Sequence, residues 1–365
     1  MTPKQREALD AFDKHGTIRQ AAAALGIAYS SFYERYMGAK RHLETDPAIQ
    51  GAMSEVGMQD ASVLHSGWIK TDGASMYFQM PPEKSETVED LADRIADRIN
   101  KVHPAPHIKR PKVTETNKLN FVPLYDVHMG MRIGDYGTAA SVNRMREGVF
   151  DVIDRAPRTE TLILLNGGDF TEANDNSALT PASKHPLAVD MDFDDLSDVA
   201  TDITVELIEF ALTRADNVVY QAIKGNHDHA IPLVLRQALR QRYRDETRFE
   251  LRDGVEMFSY EWKDNFLTGI HGHQKVSNPQ KLALSIMSRY RQEFGRAKRC
   301  ELWRGHLHNE VSIAVPGMRI NQVNPVCPSG RYATENLFEG ESDIQCVTYK
   351  AGGGRYATTV HIYDD

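Results

Sequence analysis

The sequence predicts a mixed α/β fold for most of the chain, preceded by a small helical domain. From Leu119 onward, short apolar runs alternate with segments of helical periodicity, which is the pattern of an α/β protein. A polar cluster rich in His, Asp or Asn follows each of several apolar runs. Prolines within residues 104–112 resist regular structure and mark a boundary before this region. We therefore predict three domains, which span residues 1–45, 46–118 and 119–365.

The composition excludes several classes of protein. Hydrophobic residues make up 41% of the 365 positions and charged residues 26%, as in an ordinary globular protein. No apolar stretch approaches the ~20 residues of a membrane span, and no signal peptide is recognisable, so we expect a cytoplasmic protein without a membrane partner. Three cysteines without a CxxC pair argue against a disulfide framework and a zinc ribbon. The net charge of −8 argues against wholesale electrostatic binding of nucleic acid.

The first 45 residues have the pattern of three short helices. Residues 3–14 and 18–25 show helical spacing, Gly26 supplies a left-handed stop, and a third helix follows. The alanine-rich second helix, the glycine and the serines after it resemble helix-turn-helix units of bacterial and phage regulators. This resemblance implies DNA contacts from Ser30, Ser31, Tyr33, Arg35, Lys40 and Arg41. The alternative is a protein-docking module, because the small positive charge of this segment is a weak footprint for DNA.

Residues 46–118 have the pattern of a connector. Two apolar segments, residues 67–71 and 74–78, flank Asp72-Gly73, which predicts a β-hairpin. Residues 86–102 carry an apolar stripe at helical spacing and predict an amphipathic helix. We interpret this segment as a connector that packs on a neighbouring domain or on a second subunit. A homodimer or higher oligomer is therefore one expectation.

The third domain begins with strands and helices in alternation. Apolar runs predict strands at residues 119–125, 161–165 and 218–223, with helices at residues 141–154 and 197–214 between them. Further apolar runs precede two later histidine-rich segments. A polar, Asp-rich stretch with two prolines, from residue 171 to residue 196, predicts an insertion loop.

Five polar clusters follow these strands. In chain order they are Asp126-Val127-His128, Asn166-Gly167-Gly168-Asp169, Lys224-Gly225-Asn226-His227-Asp228, Gly269-Ile270-His271-Gly272-His273 and Gly305-His306-Leu307-His308. Ligands of α/β folds bind just beyond the carboxyl ends of strands, so we expect the clusters to converge at one edge. Oxygen and nitrogen donors without cysteine suit manganese, iron, zinc or nickel. The sequence therefore predicts a divalent-metal site.

The order and form of the five clusters resemble the motifs of calcineurin-like metallophosphoesterases. The resemblance covers roughly residues 119–310 and implies a four-layer β-sandwich flanked by helices that holds two divalent ions. It implies that Asp126, His128 and His308 bind the first ion and that Asp169 bridges both. It assigns Asn226, His271 and His306 to the second ion. Either histidine of the fourth cluster fits the motif; we expect His271 to bind metal, with His273 and Asp228 supporting the ligands.

The resemblance also implies a mechanism. Two ions, with manganese the first expectation, would hold a phosphate and activate a bridging hydroxide that attacks phosphorus in line. His227 would act as the general acid for the leaving oxygen rather than as a metal ligand. Glu172 would orient His227 and set its tautomer, as second-shell carboxylates do. The alternative for Glu172 is a solvated loop carboxylate.

The motifs leave the substrate open. The cluster with Phe170-Thr171-Glu172 departs from the protein-phosphatase branch, while the histidine-rich clusters look closer to SbcD-like nucleases and to phosphodiesterases. The combination of an N-terminal helix-turn-helix with such a domain resembles phage and prophage phosphoesterases. It favours a DNA nuclease. The acidic third domain keeps a small-molecule phosphoesterase, acting on cyclic or modified nucleotides, as an alternative. A non-catalytic scaffold is a further alternative, which the complete ligand set disfavours.

Overall fold

The computed structural model divides the chain into two compact units, Met1–Arg94 and Ile95–Asp365, and each is described by itself. The structure describes residues 2–15, 18–27, 31–32, 35–36, 39, 66–71, 74–79, 106–134, 136–181, 183–276, 278–328 and 340–364. Among these residues, no helix combines the length and hydrophobicity needed to cross a bilayer. The amphipathic helix predicted at residues 86–102 lies outside the described residues.

The described residues of the first unit include helices and two paired strands, close to their predicted positions. Helices α1 (Pro3–His15) and α2 (Ile18–Ala24) are followed by Gly26, whose φ of 64° is the left-handed conformation predicted for it. A small apolar core consists of Ala8, Ala11, Ala21, Ala22, Phe32 and Tyr36. Strands β1 (Ser66–Thr71) and β2 (Ala74–Gln79) pair antiparallel.

The described part of the second unit contains two sheets, with helices on the outer face of each. Its strands are β3 (Glu115–Leu124), β4 (Thr159–Asn166), β5 (Asn217–Ala222), β6 (Phe249–Leu251), β7 (Phe258–Trp262), β8 (Asn265–Gly269), β9 (Arg299–Arg304), β10 (Val311–Val315), β11 (Met318–Gln322), β12 (Asp343–Lys350) and β13 (Gly354–Ile362). Its helices are α3 (Thr138–Arg155), α4 (Phe193–Leu212), α5 (Ile231–Arg242), α6 (Pro279–Arg289) and α7 (Arg291–Arg296).

The first sheet has six strands in the order β13-β12-β3-β4-β5-β6. Strands β3 to β6 run parallel, and the penultimate strand β12 joins β3 antiparallel. The second sheet has five strands in the order β10-β11-β9-β8-β7, with β8 parallel to β9. The carboxyl ends of β3, β4 and β5 therefore lie side by side in one sheet, and those of β8 and β9 in the other.

Alternating side chains of the central strands build two cores. On β4, Leu162 and Leu164 join the core beneath α3, α4 and α5, while Ile163 and Leu165 join the core between the sheets. The inter-sheet core includes Phe121, whose ring lies 5.3 Å from that of Trp303 and 5.8 Å from that of Phe258. A third core packs α6 on the outer face of the second sheet. The four layers confirm the predicted sandwich of two sheets flanked by helices.

Two predicted boundaries differ from the structure. Strand β3 begins at Glu115, so it starts before the domain boundary that was predicted at residue 118. Helix α4 begins at Phe193, inside the loop predicted to extend to residue 196. Asp192 caps this helix, since its side chain accepts a hydrogen bond from the N–H of Asp195 at 3.0 Å. The polar sequence that suggested a loop is therefore partly the acidic first turn of a helix.

Candidate metal centre

The five polar clusters lie at the ends of five strands, as their sequence positions predicted. Hydrogen bonding continues beyond the strands, because the N–H of Asp126 bonds to the carbonyl of Gly168 at 3.2 Å and that of His128 to the carbonyl of Asp169 at 2.9 Å. In the second sheet, the N–H of Gly305 bonds to the carbonyl of His271 at 2.9 Å. These backbone bonds hold the clusters in register across strand ends.

Five residues of the centre adopt a backbone conformation that side chains other than glycine seldom occupy. They are Asp126 (φ 52°), His128 (φ 49°), Asp169 (φ 51°), His306 (φ 72°) and His308 (φ 50°). Each such conformation carries a cost, on the order of 1–3 kcal/mol in sparsely populated regions, and persists where the surroundings impose it. Strain concentrated in five ligand-type residues points to a functional site.

Two glycines allow the clusters to approach each other. A Cβ atom on Gly225 would overlap the carboxylate of Asp169, and one on Gly305 would overlap the carboxylate of Asp126. A side chain at either position would therefore displace a carboxylate from the centre. This close approach explains why glycine precedes Asn226 in the third cluster and His306 in the fifth.

We call Asp126, His128 and His308 site A. Asp126 uses Oδ2 to accept the N–H of His306 at 2.7 Å, while its buried Oδ1 has no hydrogen-bond partner and lies 3.6 Å from His308 Nε2. His128 places Nδ1 2.6 Å from Glu172, and its buried Nε2 also has no partner. Buried polar atoms are almost always paired. The unpaired Asp126 Oδ1 and His128 Nε2 therefore fit the role of ligands to a bound cation.

We call Asn226, His271 and His306 site B. His271 Nε2 lies 3.0 Å from Asn226 Oδ1, and its Nδ1 lies 3.1 Å from the carbonyl of Gly167. Donor atoms of His271, His306 and Asp169 lie within 4.8 Å of one another. The side chains of site B therefore also fit a cation.

Asp169 lies between the two sites. Its Oδ2 is 3.8 Å from His128 Nε2 of site A and 3.1 Å from His271 Nε2 of site B. Burial opposes ionisation of Asp169, but the neighbouring His271, His128 and His227 hold its pKa below the usual range. Asp169 is therefore an anion in reach of both sites, which is what a bridging ligand requires.

The ring of His227 lies beside site A. Its Nδ1 is 3.0 Å from the carbonyl of Glu172, and the backbone N–H of His227 donates to Asp169 Oδ1 at 2.8 Å. Burial lowers the pKa of His227, and the adjacent His128 lowers it further. A ring nitrogen of His227 also lies within 4.8 Å of donor atoms of His128 and Asp169, which is within reach of a shared ion.

The Glu172 carboxylate has a different partner from the one predicted. Its Oε2 lies 2.6 Å from His128 Nδ1 and 3.5 Å from His227 Nδ1, so it binds the site A histidine, and only its backbone carbonyl bonds to His227. The N–H of Glu172 bonds to the carbonyl of Met129 at 2.8 Å, which holds this segment against His128. Burial alone would lower the pKa of His128, but the bond to Glu172 and nearby carboxylates raise it to about 9.

Asp228 supports the centre through hydrogen bonds, whereas His273 only lies next to it. The buried carboxylate of Asp228 accepts the N–H groups of Asp169, Phe170 and Gly225 at 3.0, 2.7 and 2.8 Å. It therefore ties the turn after β4 to the turn after β5. Burial, reinforced by Asp169, raises the pKa of Asp228 to about 7. The ring of His273 lies 5.4 Å from that of His271, and its buried Nδ1 has no partner.

The predicted DNA-contacting residues belong to the first unit. Ser31 is exposed and Arg35 is half-buried. Ser30, Tyr33, Lys40 and Arg41 lie outside the described residues. Contact with DNA stays a prediction.

Cys327 lies beside the centre, although no sequence motif predicted it there. Cys327 is buried, and donor atoms of Cys327, His128 and His308 lie within 4.8 Å of one another. The five clusters predicted only oxygen and nitrogen ligands, because Cys327 belongs to none of them. A thiol next to site A corrects that expectation.

Solved structures with limited similarity to the chain include phosphoesterases and Vps29 proteins. An archaeal phosphodiesterase is 14% identical over 67% of this chain and 99% of its own, with a TM-score of 0.36. The phosphoesterase YfcE from E. coli is 13% identical over 66% and 98%, with a TM-score of 0.34. Vps29 from Entamoeba histolytica, solved with Zn²⁺, is 12% identical over 67% and 98%, with a TM-score of 0.31.

No family model matches the chain, and no curated protein matches it. Similarities as low as those to the solved structures carry no information about activity. The side chains of sites A and B must therefore support any functional conclusion.

Proposed function

We propose that this protein is a metal-dependent phosphoesterase and, within that class, a DNA phosphodiesterase. The observation that carries the proposal is the pair of orphaned donor atoms, Asp126 Oδ1 and His128 Nε2, facing an ionised Asp169 that adjoins a second group of ligands. Asp126, His128 and His308 would hold one divalent ion, and Asn226, His271 and His306 the other, with Asp169 between them. Manganese, iron, zinc and nickel all accept this set of donors.

Two bound ions would polarise a phosphate and supply an activated water for its hydrolysis. The chain's own groups supply orientation and a proton. The carbonyl of Glu172 accepts from His227 Nδ1–H, which leaves Nε2 of His227 to carry the proton for the leaving oxygen. A lowered pKa makes protonated His227 a stronger acid. Glu172 and Asp228 hold the ligands and strand ends in place.

The choice of DNA as substrate rests on the N-terminal segment. Helices α1 and α2, the glycine stop after them and the resemblance to helix-turn-helix units support a DNA-binding role. The net charge of −8 favours the second candidate, a phosphoesterase for cyclic or modified nucleotides. A scaffold without activity is disfavoured, because the chain keeps all seven predicted ligands and their side chains lie close to one another. A homodimer or higher oligomer stays a prediction.

Hydrolysis of four substrates tests the proposal. Single-stranded DNA, double-stranded DNA, a cyclic nucleotide and a chromogenic diester should be compared with Mn²⁺ and after exhaustive chelation. Asp126→Asn should abolish activity, whereas Asp202→Asn, at an exposed position on α4, should retain it. Full activity after chelation would overturn the proposal. Hydrolysis of the cyclic nucleotide without hydrolysis of DNA would support the second candidate.

Binding of DNA across a salt series tests the N-terminal segment. Simultaneous replacement of Arg35, Lys40 and Arg41 by Ala should weaken DNA binding and reduce its salt dependence, because fewer phosphates are neutralised. Turnover of the small diester should stay unchanged, because every predicted ligand lies beyond residue 118. Equal DNA affinity of variant and parent at every salt concentration would remove this segment from DNA recognition.

A further inference from the structure

Cys327 is held beside site A by its backbone. Its N–H bonds to the carbonyl of Asp126 at 3.2 Å, and the preceding N–H, of Val326, bonds to the carbonyl of Tyr125 at 3.3 Å. The carbonyl of Cys327 accepts the hydroxyl of Ser342 at 2.9 Å. The segment that follows β11 is therefore fastened to the end of β3, where site A begins.

The separation of the thiol from two histidines of site A is close to the distance that a shared ion requires. Two donors that each bind a zinc ion at about 2.0–2.3 Å lie at most about 4.6 Å apart. The sulfur of Cys327 and one ring nitrogen each of His128 and His308 lie within 4.8 Å of one another. A small adjustment of the side chains would bring all three donors onto one ion.

A second observation points to an ion at the same place. Asp126 is fully buried and His128 is 5% exposed, yet Asp126 Oδ1 and His128 Nε2 have no hydrogen-bond partner. His128 Nδ1 is engaged by Glu172, so Nε2 is the atom free to bind metal. Both unpaired atoms belong to ligands of site A, and His128 and His308 of that site also have ring nitrogens near the thiol.

The environment of Cys327 differs from that of the other two cysteines. Cys300 belongs to the apolar core beneath α6, and Cys346 belongs to the core beneath α3. Cys327 is just as buried but belongs to neither of these cores. Packing in an apolar core accounts for the burial of Cys300 and Cys346. Cys327 instead lies near two potential metal ligands, His128 and His308.

We propose that Cys327 supplies a thiolate ligand to the ion of site A and makes this site prefer zinc, iron or cobalt to manganese. The inference rests on the proposed metal-dependent function and revises the metal expected for one of its two sites. When the ion binds, the S–H bond breaks, the sulfur–metal bond forms and the proton leaves to solvent. Thiolate is a soft donor, which manganese binds weakly relative to zinc.

Titration of the metal-free full-length protein with Co²⁺ tests this ligand. The parent protein should develop near-ultraviolet sulfur-to-cobalt charge-transfer absorption. Cys327→Ser should lose that absorption and should lose at least about 10–100-fold in Zn²⁺ affinity, the size of effect seen even for residues that only support a ligand. Mn²⁺ affinity should change much less. Cys300→Ser is the matched control and should keep the parent's spectrum and affinities.

X-ray absorption spectroscopy of the parent protein with one equivalent of Zn²⁺ needs no variant. It therefore tests the inference even if Cys327→Ser does not fold. One sulfur neighbour should appear among nitrogen and oxygen neighbours. A zinc ion without a sulfur neighbour, or charge-transfer absorption that survives in Cys327→Ser, would overturn the inference while leaving the proposed function in place. Failure of the parent protein to bind any divalent ion would overturn both.

Discussion

Sites A and B contain similar side chains but differ in how those side chains are paired without metal. In site A, Asp126 Oδ1 and His128 Nε2 are buried and have no partner. In site B, His271 Nε2 already lies 3.0 Å from Asn226 Oδ1 and 3.1 Å from Asp169 Oδ2. An ion that enters site A binds atoms that have no partner, whereas an ion that enters site B must replace existing contacts of His271. We therefore expect site A to bind its ion more tightly and to fill first.

Supporting contacts reinforce this difference. Site A is held from outside by Glu172, which binds His128, and by the N–H of His306, which binds Asp126. The chief outside contact of His271 in site B is the carbonyl of Gly167. Preorganisation of a metal site therefore depends less on which ligands are present than on the neighbouring groups that keep each ligand in position. Four substitutions follow in order of decreasing expected effect: the first three probe the metal sites, and the fourth probes the segment that carries Cys327.

Asp169→Asn should have the largest effect, because it removes the charge that both sites share. Both ions should bind more weakly, and activity should fall by more than the ~100-fold typical of a lost supporting residue. Elemental analysis after gel filtration and turnover of the chromogenic diester are the measurements. Retention of two ions per chain would show that Asp169 is not a shared ligand.

His227→Ala should separate proton transfer from metal binding. Both sites should keep their ions, while turnover falls by about 10²–10⁴-fold, as expected for a lost general acid. Metal content and turnover should be measured on the same preparation. Loss of one ion would instead assign His227 to the metal, a role that its distance from His128 and Asp169 also permits.

Glu172→Gln should affect site A selectively. The amide keeps the size of the side chain but weakens the hydrogen bond to His128 Nδ1. Affinity for the ion of site A should therefore fall by about 10–100-fold. Affinity for the second ion should stay near that of the parent. Calorimetric titration resolves the two binding steps.

Glu160→Gln, at the start of β4 and at the opposite end of that strand from the centre, is the control for this substitution. Equal weakening of both binding steps in Glu172→Gln would contradict the division into a supported site A and a less supported site B.

Asp343→Asn should have the smallest effect, on the segment that carries Cys327. Asp343 Oδ2 accepts Asn324 Nδ2 at 2.8 Å, and burial, together with nearby Glu310 and Glu341, raises the pKa of Asp343 to about 6. The folded chain therefore holds this proton more tightly than the unfolded chain, and stability is lost as pH rises from about 4 through about 6.

The Asn variant has no such proton to lose. Its Tm should match that of the parent near pH 4 and exceed it near pH 8, by about 2–4 °C for each kcal/mol recovered. Scanning calorimetry at both pH values is the measurement. A parent protein that is as stable as the variant at pH 8 would contradict the raised pKa.

Local patterns account for what could be predicted of the fold. Strands β3, β4 and β5 and helices α3 and α4 all lie where apolar periodicity predicted them, because each buries one or two regular faces. The antiparallel strands β12 and β13 were not predicted, although β12 pairs directly with β3. Their pairing joins the end of the chain to its middle, and no local pattern encodes a partner so distant in sequence.

The sequence by itself determined which residue types stand at the strand ends, since motif spacing and strand polarity are local properties. Only the tertiary structure decided which atoms of those residues stay unpaired. Glu172 binds His128 rather than His227, and Cys327 reaches site A, because strand packing sets the distances between segments far apart in the chain. A side chain's partner is a property of three-dimensional proximity, and differences of about an ångström decide it.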